Sequence, residues 1–324
     1  MKKIAVVVLA LVLLMLSTAI APLLATVSCS LPYTESIGKL GGADFLIRIP
    51  DPVTNWNGGL VIYCRGYLPY QIIPSIANVL SPSNTLSSTL LSLGYAIAFS
   101  NYGEGGMCMQ KAVIRTHQLT EWVVDNYDVT GKIYLVGISM GGSVALELGA
   151  KYPDLYDGVL DLCGPKDSAF GYADGLFLSS LSDSELQIEL ANRGVTTYPL
   201  PNLIVYKTFG ELSSADTEIE CGGTPDSKPK AYERISPTYS AVEVTIPTIT
   251  LHGTRDGMVR YSASVAYKNA VAAAGHADLY RLYIVTGAQH GDATLWSQVF
   301  QEPYSAFYQL VDWAEDGIPA SPSS

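Results

Sequence analysis

Between residues 60 and 162 the chain alternates short apolar runs with segments of helical periodicity, and this alternation constrains the fold more than any single motif. "GLVIYC" is an apolar run of strand length, "TLSSTLLSLG" reads as helical and "YAIAFSN" as a strand. "AVIRTHQLTEWVVDNY" carries apolar residues at helical spacing. "KIYLVG" is again strand-like, "GSVALELGAKYP" is helical until Pro153, and "YDGVLDLCG" is a further strand. Strands and helices interleaved at this interval form βαβ units, so the expected fold is α/β, with a mostly parallel sheet covered on both faces. Upstream, "ADFLIRIPDP" and "GLVIYCRGY" are rich in β-branched and aromatic residues and flank a turn-rich "VTNWNG"; they predict strands over Ala43–Ile49 and Leu60–Cys64.

The rhythm stops at Pro165. Up to about Glu243 the chain offers one helical piece, "SDSELQIELANRG", a Tyr and Pro mixture, and the stretch "ECGGTPDSKPKAY". It then resumes with "IPTITLHG" (strand), "SASVAYKNAVAAAG" (helix), "LYRLYIVTG" (strand) and "PYSAFYQLVDWAED" (closing helix). The expected organisation is a core over 32–164 and 244–316, an inserted lid over 165–243, and a frayed tail over 317–324. In an α/β sheet such an insertion lies over the carboxyl ends of the strands, where ligands bind.

Two lysines, a nearly unbroken apolar run and then small residues open the chain, which reads as a signal peptide over 1–28 and a secreted or extracytoplasmic protein. An uncleaved membrane anchor over Ile4–Ala25, or lipid attachment at Cys29 within "TVSC", is the alternative. A net charge of −11, or −13 without Lys2 and Lys3, argues against nucleic acid as a partner. Hydrophobic content of 48% against 15% charged residues excludes a disordered chain. In an exported protein Cys64, Cys108, Cys163 and Cys221 could form two disulfides, with the pairing open and Cys29 left over. No Cys/His spacing matches a metal site, and neither metal nor cofactor is expected.

Within "KIYLVGISMGGSVALEL", Ser139 stands between an apolar strand and a helix, with Gly137 and Gly141 beside it. A strand-to-helix turn of this kind tolerates only small neighbours and lifts the serine hydroxyl above the sheet. The hydroxyl needs a base, and only four histidines are available. His117 falls inside an amphipathic helix, His276 follows a helix away from the carboxyl edge, and His252 reads as a packing residue at a strand end. His290, in the loop after the last predicted strand, is the expected general base. Asp256, in "LHGTRDGMV", is the expected orienting carboxylate; Asp161 and Asp292 are its rivals. Backbone N–H groups of Met140 and of Tyr67, just beyond Gly66, are the expected oxyanion donors.

In "CRGY", "GISMGG", "LHGTRDGMV" and "GAQHGD", taken in that order, the chain resembles the α/β-hydrolase superfamily over nearly all of residues 40–316. The resemblance implies an eight-stranded sheet with helices on both faces, and a reaction in which Ser139 attacks an acyl carbonyl, His290 shuttles the proton and water releases the acid. The long insertion looks like the lid of feruloyl and cinnamoyl esterases and of homoserine acetyltransferase-like proteins. Tyr67 after the oxyanion glycine and Met140 after the serine are similar to cutinase-like polyester hydrolases. Many relatives carry histidine where this chain has Arg65, a departure that bears on loop geometry and substrate preference.

The expected activity is hydrolysis of carboxylic esters, small or polymeric, with aromatic or bulky acyl groups. Tyr67, Tyr70, Tyr102 and Trp296 are the expected substrate contacts, and the chain is tyrosine-rich, with 21 Tyr against 7 Phe. A peptidase of the prolyl oligopeptidase type, an acyltransferase, and a non-catalytic binding protein are the alternatives.

Overall fold

The computed structural model describes residues 33–72, 85–195, 200–291 and 305–321. Eight strands form one sheet in the order β1-β2-β4-β3-β5-β6-β7-β8. These are β1 Tyr33–Leu40, β2 Ala43–Pro50, β3 Leu60–Cys64, β4 Ala96–Ser100, β5 Ile133–Ile138, β6 Gly158–Leu162, β7 Thr248–Gly253 and β8 Tyr280–Val285. β1 and β2 pair antiparallel, β2 joins β4 antiparallel, and every other pairing is parallel. β1 has no counterpart in the sequence reading, because its alternation is shallow and its residues are mostly exposed or half-buried at the sheet edge.

The central strands are buried along their length and mostly apolar because both faces are covered, with Asp161, Thr250 and His252 among the buried polar exceptions on β6 and β7. Against one face pack α2 (Met109–Asn126), α3 (Met140–Lys151) and α9 (Tyr261–Ala273), through Val113, Leu119, Val144 and Tyr267. Against the other pack α1 (Thr85–Ser92) and α10 (Ser305–Asp316), through Leu90, Leu91, Phe307 and Leu310. β6, buried at every position, has Leu160 turned to the second cluster and Val159 to the first, as strand alternation requires.

The insertion is more helical than its composition suggests. It holds α4 (Ser168–Ser180), α5 (Asp183–Asn192), α6 (Leu200–Cys221), α7 (Pro229–Arg234) and α8 (Pro237–Ser240). α5 begins in a capping box between Ser182 and Glu185. α6 escapes a sequence reading because its apolar stripe is interrupted by Lys207, Gly210, Glu211 and Asp216, and its burial comes from packing on α4 and α5 rather than on the sheet.

Two further expectations are corrected. The tail is not frayed over 317–321: Ala320 is buried, and Arg281 Nε and Tyr283 Oη donate to the carbonyls of Ala320 and Ser321. Nor are Cys64, Cys108, Cys163 and Cys221 joined by disulfides; all four are buried free thiols packed as small apolar groups on separate elements. Among the described residues no helix is long and apolar enough to cross a membrane.

Among the described glycines, the closest backbone approach is where α3 meets the ends of β3 and β5. A Cβ on Gly141 would lie 2.0 Å from the Cys64 carbonyl oxygen, and one on Gly137 2.0 Å from that of Gly141. Both obstacles are backbone and cannot rotate away. Gly141→Ala is therefore expected to destabilise the fold by about 3 kcal/mol or more, lowering the thermal midpoint by roughly 6 °C or more; calorimetry of the purified variant checks it.

Candidate active site

Ser139 caps α3 at the carboxyl end of β5 with φ 55° and ψ −130°, a conformation that costs a non-glycine residue about 1–3 kcal/mol. It is held by Ser139 N–H donating to the Leu162 carbonyl and Gly142 N–H to that of Ser139, both at 2.8 Å. The other non-glycine residues with positive φ, among those described, are Tyr102 and Cys163, just past the ends of β4 and β6. All three lie on the same edge of the sheet, on the side where open α/β sheets bind ligands.

His290 Nε2 lies 2.9 Å from Ser139 Oγ, and its Nδ1 lies 2.7 Å from Asp256 Oδ2. A carboxylate only accepts, so Nδ1 carries the proton and Nε2 is free to take one from the hydroxyl. Asp256 is fully enclosed: its Oδ1 accepts the N–H groups of Met258 and Val259 at 3.0 and 2.7 Å, and His252 Nε2 stands 3.2 Å from Oδ2. Burial alone would raise this carboxyl; His290 and His252 outweigh it and hold it well below the usual carboxylate range. Burial likewise works against a charged His290, but the Asp256 carboxylate and the neighbouring Cys163 raise its pKa well above the ordinary histidine value.

Two residues at this edge do more than their place in the sequence suggests. His252, expected as packing, accepts from or donates to Ser264 Oγ at 2.8 Å and donates to the Val259 carbonyl at 2.9 Å, buttressing the acid loop. Cys163 brings its sulfur to within 4.8 Å of both an Asp256 oxygen and a His290 nitrogen. Cys163 approaches from the end of a different strand, so spacing along the chain could not reveal it, whereas the His252 contacts stay within β7, the loop after it and the start of α9.

Asp161, the rival acid, is engaged elsewhere. It accepts Lys166 Nζ at 2.6 Å, Thr250 Oγ1 at 2.8 Å and the Gly164 N–H at 2.9 Å, all buried. Asp292 lies outside the described residues. His117 stacks on Tyr152 along α2, far from the triad in role and partner, and His276 caps a short turn before β8.

The two expected oxyanion donors flank the serine. Met140 is the first residue of α3, so its N–H has no partner inside the helix, and the positive end of the helix dipole faces the same point. A Cβ built on Gly66 would lie 3.4 Å from Ser139 Cβ and 4.0 Å from Oγ, which brings the β3 loop against the nucleophile. Among the described residues neither the Met140 nor the Tyr67 N–H has a hydrogen-bond partner.

The expected substrate contacts fare less well. Tyr102 is 1% exposed, its ring turned inward beneath Arg65 by the left-handed turn after β4. Tyr67 is 5% exposed; its ring meets Phe209 edge-on at 5.8 Å and its hydroxyl donates to Asp216 of α6 at 2.5 Å. Tyr70 is exposed, and its N–H donates to the same carboxylate at 3.0 Å. With Asp216 and Ile219 it lines a cavity that none of the triad residues enters. Trp296 lies outside the described residues.

A serine on such an elbow at the end of β5, in a sheet of this strand order, gives the α/β-hydrolase fold, and the chain is a serine hydrolase of that class. By sequence it belongs to the Esterase family, whose model, described as "Putative esterase", matches residues 98–295. Solved structures agree on the fold. The Pyrococcus furiosus esterase Pf2001 superimposes with a TM-score of 0.58 at 17% identity, covering 88% of this chain and 92% of that one. Est1E from Butyrivibrio proteoclasticus gives 0.52 at 15%, covering 86% and 98%. The acylaminoacyl peptidase of Pyrococcus horikoshii gives 0.57 at 13%, and there this chain covers 81% of itself but only 38% of the peptidase. Among curated proteins no sequence match was found.

Because neutral His290 is the form that can accept the serine proton, activity must rise with pH through its pKa. The acid limb of kcat/KM is expected to have its midpoint above about 6.5. Asp256→Asn should move that midpoint to lower pH and cut kcat by on the order of 10³-fold or more, in a pH–rate series on both proteins. The same raised pKa makes a stability contribution that is full below about 6.5 and lost as pH rises through the folded value. Asp161→Asn, by contrast, should lower the melting temperature, since it leaves Lys166 buried without its charge partner, while kcat per titrated active site stays near wild type.

Proposed function

We propose that the protein hydrolyses carboxylic esters through an acyl-enzyme on Ser139. The observation that carries this reading is the unbroken chain of hydrogen bonds from Ser139 Oγ through His290 to Asp256. The Ser139 oxygen attacks the ester carbonyl as His290 Nε2 takes its proton, and the carbonyl electrons move onto oxygen between the N–H groups of Met140 and Tyr67. Collapse of the tetrahedral species expels the alcohol, which receives the proton from His290. A water molecule, deprotonated by the same imidazole, then repeats the sequence and releases the acid. Asp256 keeps the imidazole oriented and balances its charge; it does not itself exchange the proton.

We take residues 165–243 as a lid over this edge. Two contacts support that reading: Asp216 of α6 engages the Tyr67–Tyr70 loop, and Arg193 at the end of α5 donates to the Gly257 carbonyl of the acid loop at 3.2 Å. A preference for aromatic or bulky acyl groups, of the feruloyl-ester or polyester kind, rests on the tyrosine-rich sequence, with 21 Tyr against 7 Phe. Export rests on the apolar leader. Amide cleavage is the second reading, favoured by the likeness of the fold to the acylaminoacyl peptidase.

The test combines labelling with a substrate panel. Wild type should react with a fluorophosphonate probe and hydrolyse nitrophenyl esters and methyl ferulate; Ser139→Ala should lose both while retaining its circular dichroism and melting temperature. Cleavage of aminoacyl nitroanilides without cleavage of esters supports the amide reading instead, and an unlabelled wild type would sink the mechanism.

A further inference from the structure

Arg65 immediately precedes the oxyanion loop, upstream of the span matched by the family model. Its side chain is almost completely buried, at 1% exposed. Nη1 donates to the Gly66 carbonyl at 2.9 Å, Nε and Nη2 to the Asn101 carbonyl at 3.3 and 3.1 Å, and Nη2 also to the Glu104 carbonyl at 2.6 Å. The guanidinium lies 4.3 Å from the centroid of the Tyr102 ring, and the Tyr102 hydroxyl donates to the carbonyl of Arg65 itself at 3.4 Å. Among the described residues no carboxylate pairs with this cation.

We propose that Arg65 is a positioning residue of the oxyanion hole, acting through the Gly66–Tyr67 peptide. That peptide is trans, so its C=O and N–H point in opposite directions within one rigid plane. A bond from Arg65 to the Gly66 oxygen therefore sets the direction of the Tyr67 N–H, the expected oxyanion donor on the loop that Gly66 brings against Ser139. Without it, Gly66 would leave the plane free to rotate, since glycine restricts its backbone least. The second effect is electronic. A charged donor on the carbonyl polarises the amide and strengthens its N–H as a donor, as hydrogen bonds in series do in a low-dielectric site. The third is electrostatic: with no carboxylate to cancel it, the positive charge remains available to the oxyanion one peptide away. The Asn101 and Glu104 carbonyls and the Tyr102 ring hold the guanidinium itself in place, so the loop after β4 serves as the rear support of a donor carried by the loop after β3.

This assignment rests on the esterase reading, and its test separates the two. Arg65→Ala and Arg65→Lys are assayed for ester hydrolysis, with rates expressed per active site titrated to the end point with a fluorophosphonate, so that unfolded protein does not count. In the alanine variant kcat should fall on the order of 10²-fold, with KM within about threefold of wild type. Affinity for a trifluoromethyl ketone, which forms the tetrahedral oxyanion adduct, should fall by the same factor. Added ethylguanidinium should restore part of kcat, and the lysine variant, with one donor and the charge but no fork, should lie between. A residue that merely stabilised the fold would lower the melting temperature and the titrated fraction and leave these per-site values unchanged. If kcat per site stays within about threefold of wild type, or falls without loss of ketone affinity, the assignment is overturned; should the alanine variant fail to fold, the lysine variant decides on the same criteria. A wild type that hydrolyses no ester overturns the esterase reading and this assignment with it.

Discussion

The close approach of α3 to the ends of β3 and β5 is the constraint on which the rest of the carboxyl edge depends. Ser139 adopts a left-handed conformation that no isolated serine would hold. It persists because the surrounding backbone leaves no alternative: a Cβ on Gly137, Gly141 or Gly142 would collide at 2.0 Å with the Gly141 carbonyl, the Cys64 carbonyl or an Asp161 carboxylate oxygen. The same tightness draws Cys64, Arg65 and Gly66 against the elbow. Nucleophile and oxyanion loop therefore share one packing constraint, and neither can shift without the other.

Two buried aspartates at the ends of neighbouring strands show how environment divides labour between identical groups. Asp161 meets a buried lysine, a threonine hydroxyl and a backbone N–H, and becomes a structural knot between β6, β7 and the start of the insertion. Asp256 meets two imidazoles and two backbone N–H groups, and its charge is directed toward His290. A buried carboxylate without such partners would protonate rather than stay charged. The donors are thus what keep Asp256 able to support a cationic histidine.

The insertion is bound to both working loops. Asp216 takes the Tyr67 hydroxyl and the Tyr70 N–H of the oxyanion loop. On the other flank Arg193 spans Asp174 by two bonds, at 2.8 and 2.9 Å, and reaches Gly257, while Arg260 of the acid loop turns back to Asp174 and Glu189. Burial drives the Tyr67 phenol upward, with the Asp216 carboxylate adding to it, so it remains a donor across the working pH range. Movement of the insertion would accordingly be felt at Tyr67, whose backbone N–H is one of the two oxyanion donors proposed above.

By itself the sequence determined the layered α/β core, the interruption at Pro165, and the identities of Ser139 and His290, with Asp256 preferred among three carboxylates, because periodicity, small residues around a strand-to-helix junction and the scarcity of histidines can all be read along the chain. Tertiary structure decided the rest. Edge strand β1 carries little burial pattern to read, and α6 gains its stability from α4 and α5 rather than from a clean apolar stripe of its own. Tyr102 looked like a substrate contact until the turn after β4 directed its ring beneath Arg65. The choice of Asp256 over Asp161, the approach of Cys163 to the triad and the seating of Arg65 under the Asn101 and Glu104 carbonyls all depend on contacts between residues far apart in the chain. Spacing can nominate a residue for such a contact, but only the packed sheet brings the two partners within bonding distance.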